Sequence, residues 1–281
     1  MLEIPGRLLV EAMVRADGTV DCGDLYTVAG HLGMTDQQVR LSIRRLVNDG
    51  HFVQEGRGRK AILRATAETW RSIEPDIEFV RLMYRQDHGE APWDGVWHLA
   101  GFAIPESTRP ARDALREAIV HLGGAPVQNG LYVSPNAWED LIEADAARLG
   151  VTNHLTFLTS RDLRIGTERD PRALAAGLWP LDEIAERHIR LIEIAAKHLT
   201  RLRTDPPETE QLTIAIELAT EFTHAMEPDP LLPPELLPQP WPGTEARELV
   251  AQCWALLLNK PHHNAPRLFE VYTEAAQSVT A

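Results

Sequence analysis

Residues 35–50 read TDQQVRLSIRRLVNDG. On a wheel of 3.6 residues per turn, Val39, Ile43, Leu46 and Val47 share one face. Gln37, Leu41, Arg45 and Asn48 take the opposite face, flanked by Gln38, Arg40 and Arg44. Thr35 is a helix N-cap, Gln38 three residues later completes a capping box, and Asn48-Asp49-Gly50 ends the run. A helix that buries aliphatics on one side and presents arginine and glutamine on the other suits the DNA major groove, where those side chains reach guanine and adenine edges. Leu41 interrupts the polar face, and an apolar side chain there can meet a thymine methyl group.

The elements around this helix agree with that reading. Leu8, Leu9, Ala12 and Met13 have helical spacing up to Asp17-Gly18, and Leu25, Val28, Ala29 and Leu32 repeat it up to Gly30–Gly33. After the third helix, HFVQEGRGRKAILRA alternates around Gly56-Arg57-Gly58, the pattern of a hairpin. Three helices and a two-stranded hairpin are the order of a winged helix-turn-helix. Arg57, Arg59 and Lys60 fall at the hairpin tip, suited to phosphate or minor-groove contact. The chain as a whole has 28 Lys+Arg against 41 Asp+Glu and a formal net charge of −13. Thr35–Arg64 reverses this, with seven basic residues against three acidic ones. A solvated charged face would share the composition, but not the agreement of element order, charge reversal and basic tip.

Beyond residue 66 the pattern changes twice. A helical linker spans 67–92. VWHLAGFAI, GLYVSP and HLTFLTS then read as strands alternating with the helices RPARDALREAIVHLG and AWEDLIEADAARLG, as in a small ferredoxin-like domain over 93–176. Residues 177–281 are helical apart from DPLLPPELLPQPWPG (229–243), read as an ordered clasp on the last helix rather than a polyproline ligand. Leu181, Ile184, His188, Leu191, Ala195, His198 and Leu202 form a stripe that serves either the chain's own core or a dimer bundle. The expected fold is α+β in three parts: a winged helix (1–66), a ferredoxin-like centre and a helical C-terminal domain (177–281) expected to serve dimerisation and effector binding. No apolar run of about 18 residues suggests a membrane span. Cys22 and Cys253 are too far apart for a CxxC pair, and the start is not that of a leader, so the cytoplasm is expected. His262-His263 are adjacent, the other histidines are scattered, and no HExxH, GxSxG or phosphate-loop signature occurs. No metal, cofactor or catalytic group is therefore expected. The rival is a metal-dependent nuclease on the ferredoxin-like domain, with Asp94 as its candidate ligand.

VRLSIRRLVNDGHF with its basic hairpin, WDGVWHLAGFAIPESTRPARDALREAIVHLGGAPVQNGLYVSP (93–135) and the proline-rich 229–243 together resemble the PaaX family of phenylacetic acid catabolism repressors. The resemblance runs over roughly residues 5–260. It departs in the wing, where Ala61-Ile62-Leu63 and RATAETW stand in place of the family's tyrosines and L-T-x-x-G turn. It implies a cytoplasmic homodimer on a double-stranded operator, released by phenylacetyl-CoA or another acyl-CoA. Arg109, Arg112 and Arg116 at i, i+3 and i+7 would then clamp phosphates, with Trp93, Trp97 and His98 as an acyl wall. The plainer readings are a solvated face balanced by Glu106, Asp113 and Glu117, and tryptophans in the core.

Overall fold

The first 65 residues build a winged helix from α1 (Gly6–Ala12), β1 (Thr19–Asp21), α2 (Cys22–His31), α3 (Asp36–Asn48), β2 (Phe52–Glu55) and β3 (Ile62–Ala65). The structure is a computed structural model describing residues 4–72, 77–259 and 266–267. The sheet order is β1-β3-β2, antiparallel, with Phe52 opposite Ala65 and Thr19 opposite Arg64. β1 is an addition to the expected hairpin. Three residues are too short to show alternation, so pairing with β3 creates this strand. Leu9, Val10, Val20, Leu25, Val28, Val39, Ile43, Leu46, Phe52 and Leu63 are buried in one core. Ile216 and Leu212, far along the chain, complete it. Gly6 stands where α1 meets α3: a Cβ there would lie 1.9 Å from Ser42 Oγ.

Helices α4 (Ala67–Ser72) and α5 (Ile77–Asp87) occupy the expected linker. The chain divides into two compact units: residues 1–81, 189–224 and 244–281, and residues 82–188 with 225–243.

The second unit is built on β4 (Trp97–Phe102), α6 (Arg109–His121), β5 (Ala125–Gln128), β6 (Leu131–Ser134), α7 (Glu139–Leu149) and β7 (Leu155–Ser160). All pairings are antiparallel in the order β5-β6-β4-β7, which is the ferredoxin-like arrangement. β5, which contains Pro126, lies at an edge, where a missing N–H is tolerated. Leu115 and Ile119 of α6 and Ile142 and Ala146 of α7 cover one face, over Ala100 and Tyr132. On the other face Trp97, Leu99 and Val133 meet α8 (Pro171–Leu178) together with Leu232, Leu236, Leu237 and Trp241. The proline-rich segment is thus ordered, but the layer it closes is this sheet face rather than the last helix. Its anchor is the Leu231 carbonyl, which accepts from Gln86 Nε2 at 3.0 Å and Asn136 Nδ2 at 2.8 Å.

The unit boundary falls within α9 (Leu181–Leu202); α10 (Glu208–Met226) and α11 (Pro242–Leu258) lie mostly in the first unit. All seven stripe residues of α9 are buried within the single chain, so the stripe serves its own core. Within the first unit, Arg190 donates twice to Glu221, at 2.8 and 2.9 Å, and His198 lies 3.0 Å from Glu217.

Candidate nucleic-acid interface

Both halves of the Thr35–Gln38 capping box form, so α3 starts where its sequence says it should. The Thr35 hydroxyl accepts from the Gln38 amide at 3.3 Å, and Gln38 Oε1 accepts from the Thr35 amide at 2.8 Å. Val39, Ile43 and Leu46 are buried, with Val47 packed beside them. Gln37, Arg40, Leu41, Arg44, Arg45 and Asn48 are exposed. Leu41 keeps 47% of its surface in water at the middle of that exposed face.

The hairpin turns through Gly56 at φ +84° and a 3-10 turn over Gly58–Lys60, which places Arg57, Arg59 and Lys60 on the surface. These three do not act alike. Arg59 Nη2 donates to both oxygens of Asp36, at 3.1 and 3.2 Å, and its guanidinium sits 4.9 Å from the centre of the Tyr26 ring. The wing tip is thereby braced against the first turn of α3. Nothing in the sequence signals this pairing, since the partners are 23 residues apart. Among the described residues Arg40, Arg44, Arg45, Arg57 and Lys60 form no ion pair, so five cations are available to an anionic partner. Arg64, also on the wing, is held by Glu55 at 2.7 Å, and that hydrogen bond keeps its guanidinium protonated even more firmly than usual.

The six residues expected to hold an effector are not brought together. Trp93, Trp97 and His98 stand at the start of β4, whereas α6 begins beyond its far end. Trp97 is 2% exposed and points to the sheet face opposite α6 and α7, edge-on to Trp93 at 5.2 Å and stacked on Trp179 at 6.5 Å. It is core. Arg112 donates to Glu106 at 2.6 Å, Arg109 reaches Asp113 at 3.4 Å, and Arg116 is 4.0 Å from Asp113. That face is the acid-balanced one. Trp93 and His98 do share a cleft of about 190 Å³, walled also by Gln86, Pro135, Asn136 and Pro233. His98 Nδ1 lies 2.7 Å from Glu139 Oε1. Burial opposes ionisation of Glu139, but the His98 ring and the Trp138 and Glu139 backbone amides outweigh it and hold the carboxyl below its usual range.

Asp94 precedes β4; its Oδ1 accepts from the Val96 amide at 2.8 Å and its carbonyl accepts from Arg161 at 2.6 Å. Among the described residues no group of three or more metal-ligating side chains gathers, and no helix is long and apolar enough to cross a membrane. His262-His263 lie outside the described residues. Burial pushes the Cys22 thiol up to about 11 and that of Cys253 to about 12.

Three family models match in succession: "PaaX-like protein" over residues 7–69, "PaaX protein central Cas2-like domain" over 90–175 and "PaaX-like protein C-terminal domain" over 179–265. Among solved structures the chain resembles the uncharacterized protein Rv0674 from Mycobacterium tuberculosis, at 19% identity and a TM-score of 0.49, over 98% of this chain and 96% of that one. No curated protein matches.

Proposed function

The chain belongs to the PaaX family, and from that premise we propose that it is a DNA-binding transcriptional repressor that acts as a homodimer and leaves its operator when a small effector binds. The observation that carries the reading is the outward face of α3. Its arginines and glutamines are solvent-facing, and its apolar face is committed to the core. Arg57 and Lys60 at the wing, unpaired among the described residues, add phosphate contacts that position the helix without selecting a sequence. The acidic remainder repels DNA elsewhere, which confines binding to the reading surface. Two such helices in a homodimer would read half-sites about one helical turn apart, roughly 34–36 Å.

The effector reading rests on the family and on the cleft beside Trp93 and His98. Its size suits a single aromatic ring, by comparison with a cavity of about 150 Å³ that binds benzene. An effector relieves repression only by binding the DNA-free state more tightly, so its affinity and operator release are linked. The test is selection of genomic fragments by the purified full-length protein. Recovery of a palindromic site supports the proposal, and recovery of no enriched sequence overturns it. Addition of phenylacetyl-CoA, phenylacetate or free CoA to the bound site, followed by release of the labelled operator, tests the effector separately.

A further inference from the structure

Leu41 lies at the centre of the outward face of α3, roughly 140–160° around the wheel from Val39, Ile43 and Leu46. It takes no part in the core beneath the helix, whose members are Val39, Ile43 and Leu46, with Met34 and Val47 at the edge. Its neighbours on that face are Gln37, Arg44, Arg45 and Asn48, all exposed. A leucine left 47% exposed among cations and amides gives the free protein little, because its methyl groups stay in water. The surrounding charge says what covers it. A surface bearing Arg40, Arg44 and Arg45, unpaired among the described residues, in an acidic chain is complementary to a polyanion, not to an apolar protein surface. Within the major groove the largest apolar group on a base edge is the C5 methyl of thymine, since the other positions are hydrogen-bond donors and acceptors or the small C5–H of cytosine.

We infer that Leu41 is a specificity-determining residue that reads a thymine through its methyl group. The inference rests on the assignment of α3 as the reading helix and adds to it the base that one residue selects. Discrimination comes from water expelled between two apolar groups, so it survives when every hydrogen bond to the base is kept.

Uracil isolates that contribution, because it lacks only the methyl. The selected operator is resynthesised with each thymine replaced singly by uracil, and the affinity of the full-length protein is measured on each duplex. Wild type is expected to bind about fourfold more weakly at one thymine per half-site, the worth of one buried methyl group at about 0.8 kcal/mol. Leu41→Ala is expected to bind thymine and uracil duplexes alike at that position, and Leu41→Met to retain part of the difference. Alanine is the better helix former, so loss of fold is not expected to confuse the result. If no uracil substitution weakens wild type, or if Leu41→Ala keeps the full difference, the inference is overturned while operator binding stands. If Leu41→Ala binds the operator unchanged but alters self-association, Leu41 serves a protein contact and the inference is again overturned. Failure to select any operator would instead remove the reading on which it rests.

Discussion

Two of the exposed arginines differ in what holds them. Arg45 is exposed and unpaired among the described residues, whereas Arg59 is engaged by Asp36 and Tyr26. Both partners of the Arg59–Asp36 pair are more than half exposed, so the pair contributes about 0–1 kcal/mol, and a phosphate can replace the carboxylate at little cost. Asp36→Asn should therefore leave the melting temperature unchanged within the error of a thermal scan. It should also tighten binding to random duplex and steepen its salt dependence, because one acid leaves the surface and one cation is released. Weaker binding by Asp36→Asn would mean that the brace, rather than the free charge, is what DNA binding needs.

Single elements carry stability as well as function. Thr35→Ala removes the α3 cap and should cost about 1 kcal/mol in denaturant titration with no change of slope. Gly6→Ala places a methyl group against Ser42 and should cost about 1–3 kcal/mol, since α1 and α3 must move apart. Between α9 and α10, the His198 ring lowers the pKa of Glu217 from its ordinary value of 4.5. A carboxylate with a depressed folded pKa stabilises above its unfolded value and loses that contribution as pH falls through the folded one. Wild type should thus lose stability below about pH 4.5 more steeply than Glu217→Gln, as an acid titration followed by circular dichroism would read. The periodic elements were legible because their signals are local. The period of α3, its capping box and the alternation of the hairpin all lie within 30 residues. The three-residue β1, the brace from Arg59 to Asp36 and the burial of Ile216 in the winged-helix core were not legible, because each is created by residues distant in sequence. The same limit explains the effector set. Spacing placed three arginines on one helix face, but it could not show that Trp97 points to the opposite side of the sheet.

At the scale of the molecule, an acidic chain carries a basic reading surface on one of its two compact units. Because the stripe on α9 is buried within one chain, a homodimer would need another surface. Sedimentation of the full-length protein, free and on its selected site, should give two chains per palindrome; one chain per palindrome would remove the homodimer from the proposal. Base reading by α3 is measured by the affinity of wild type and Arg45→Ala for the selected operator and for a random duplex at the same salt concentration. If α3 reads bases, Arg45→Ala loses about 1–3 kcal/mol on the operator and clearly less on the random duplex. Equal losses on the two duplexes would contradict it, because Arg45 would then be a phosphate contact and the outward face of α3 would carry no sequence information.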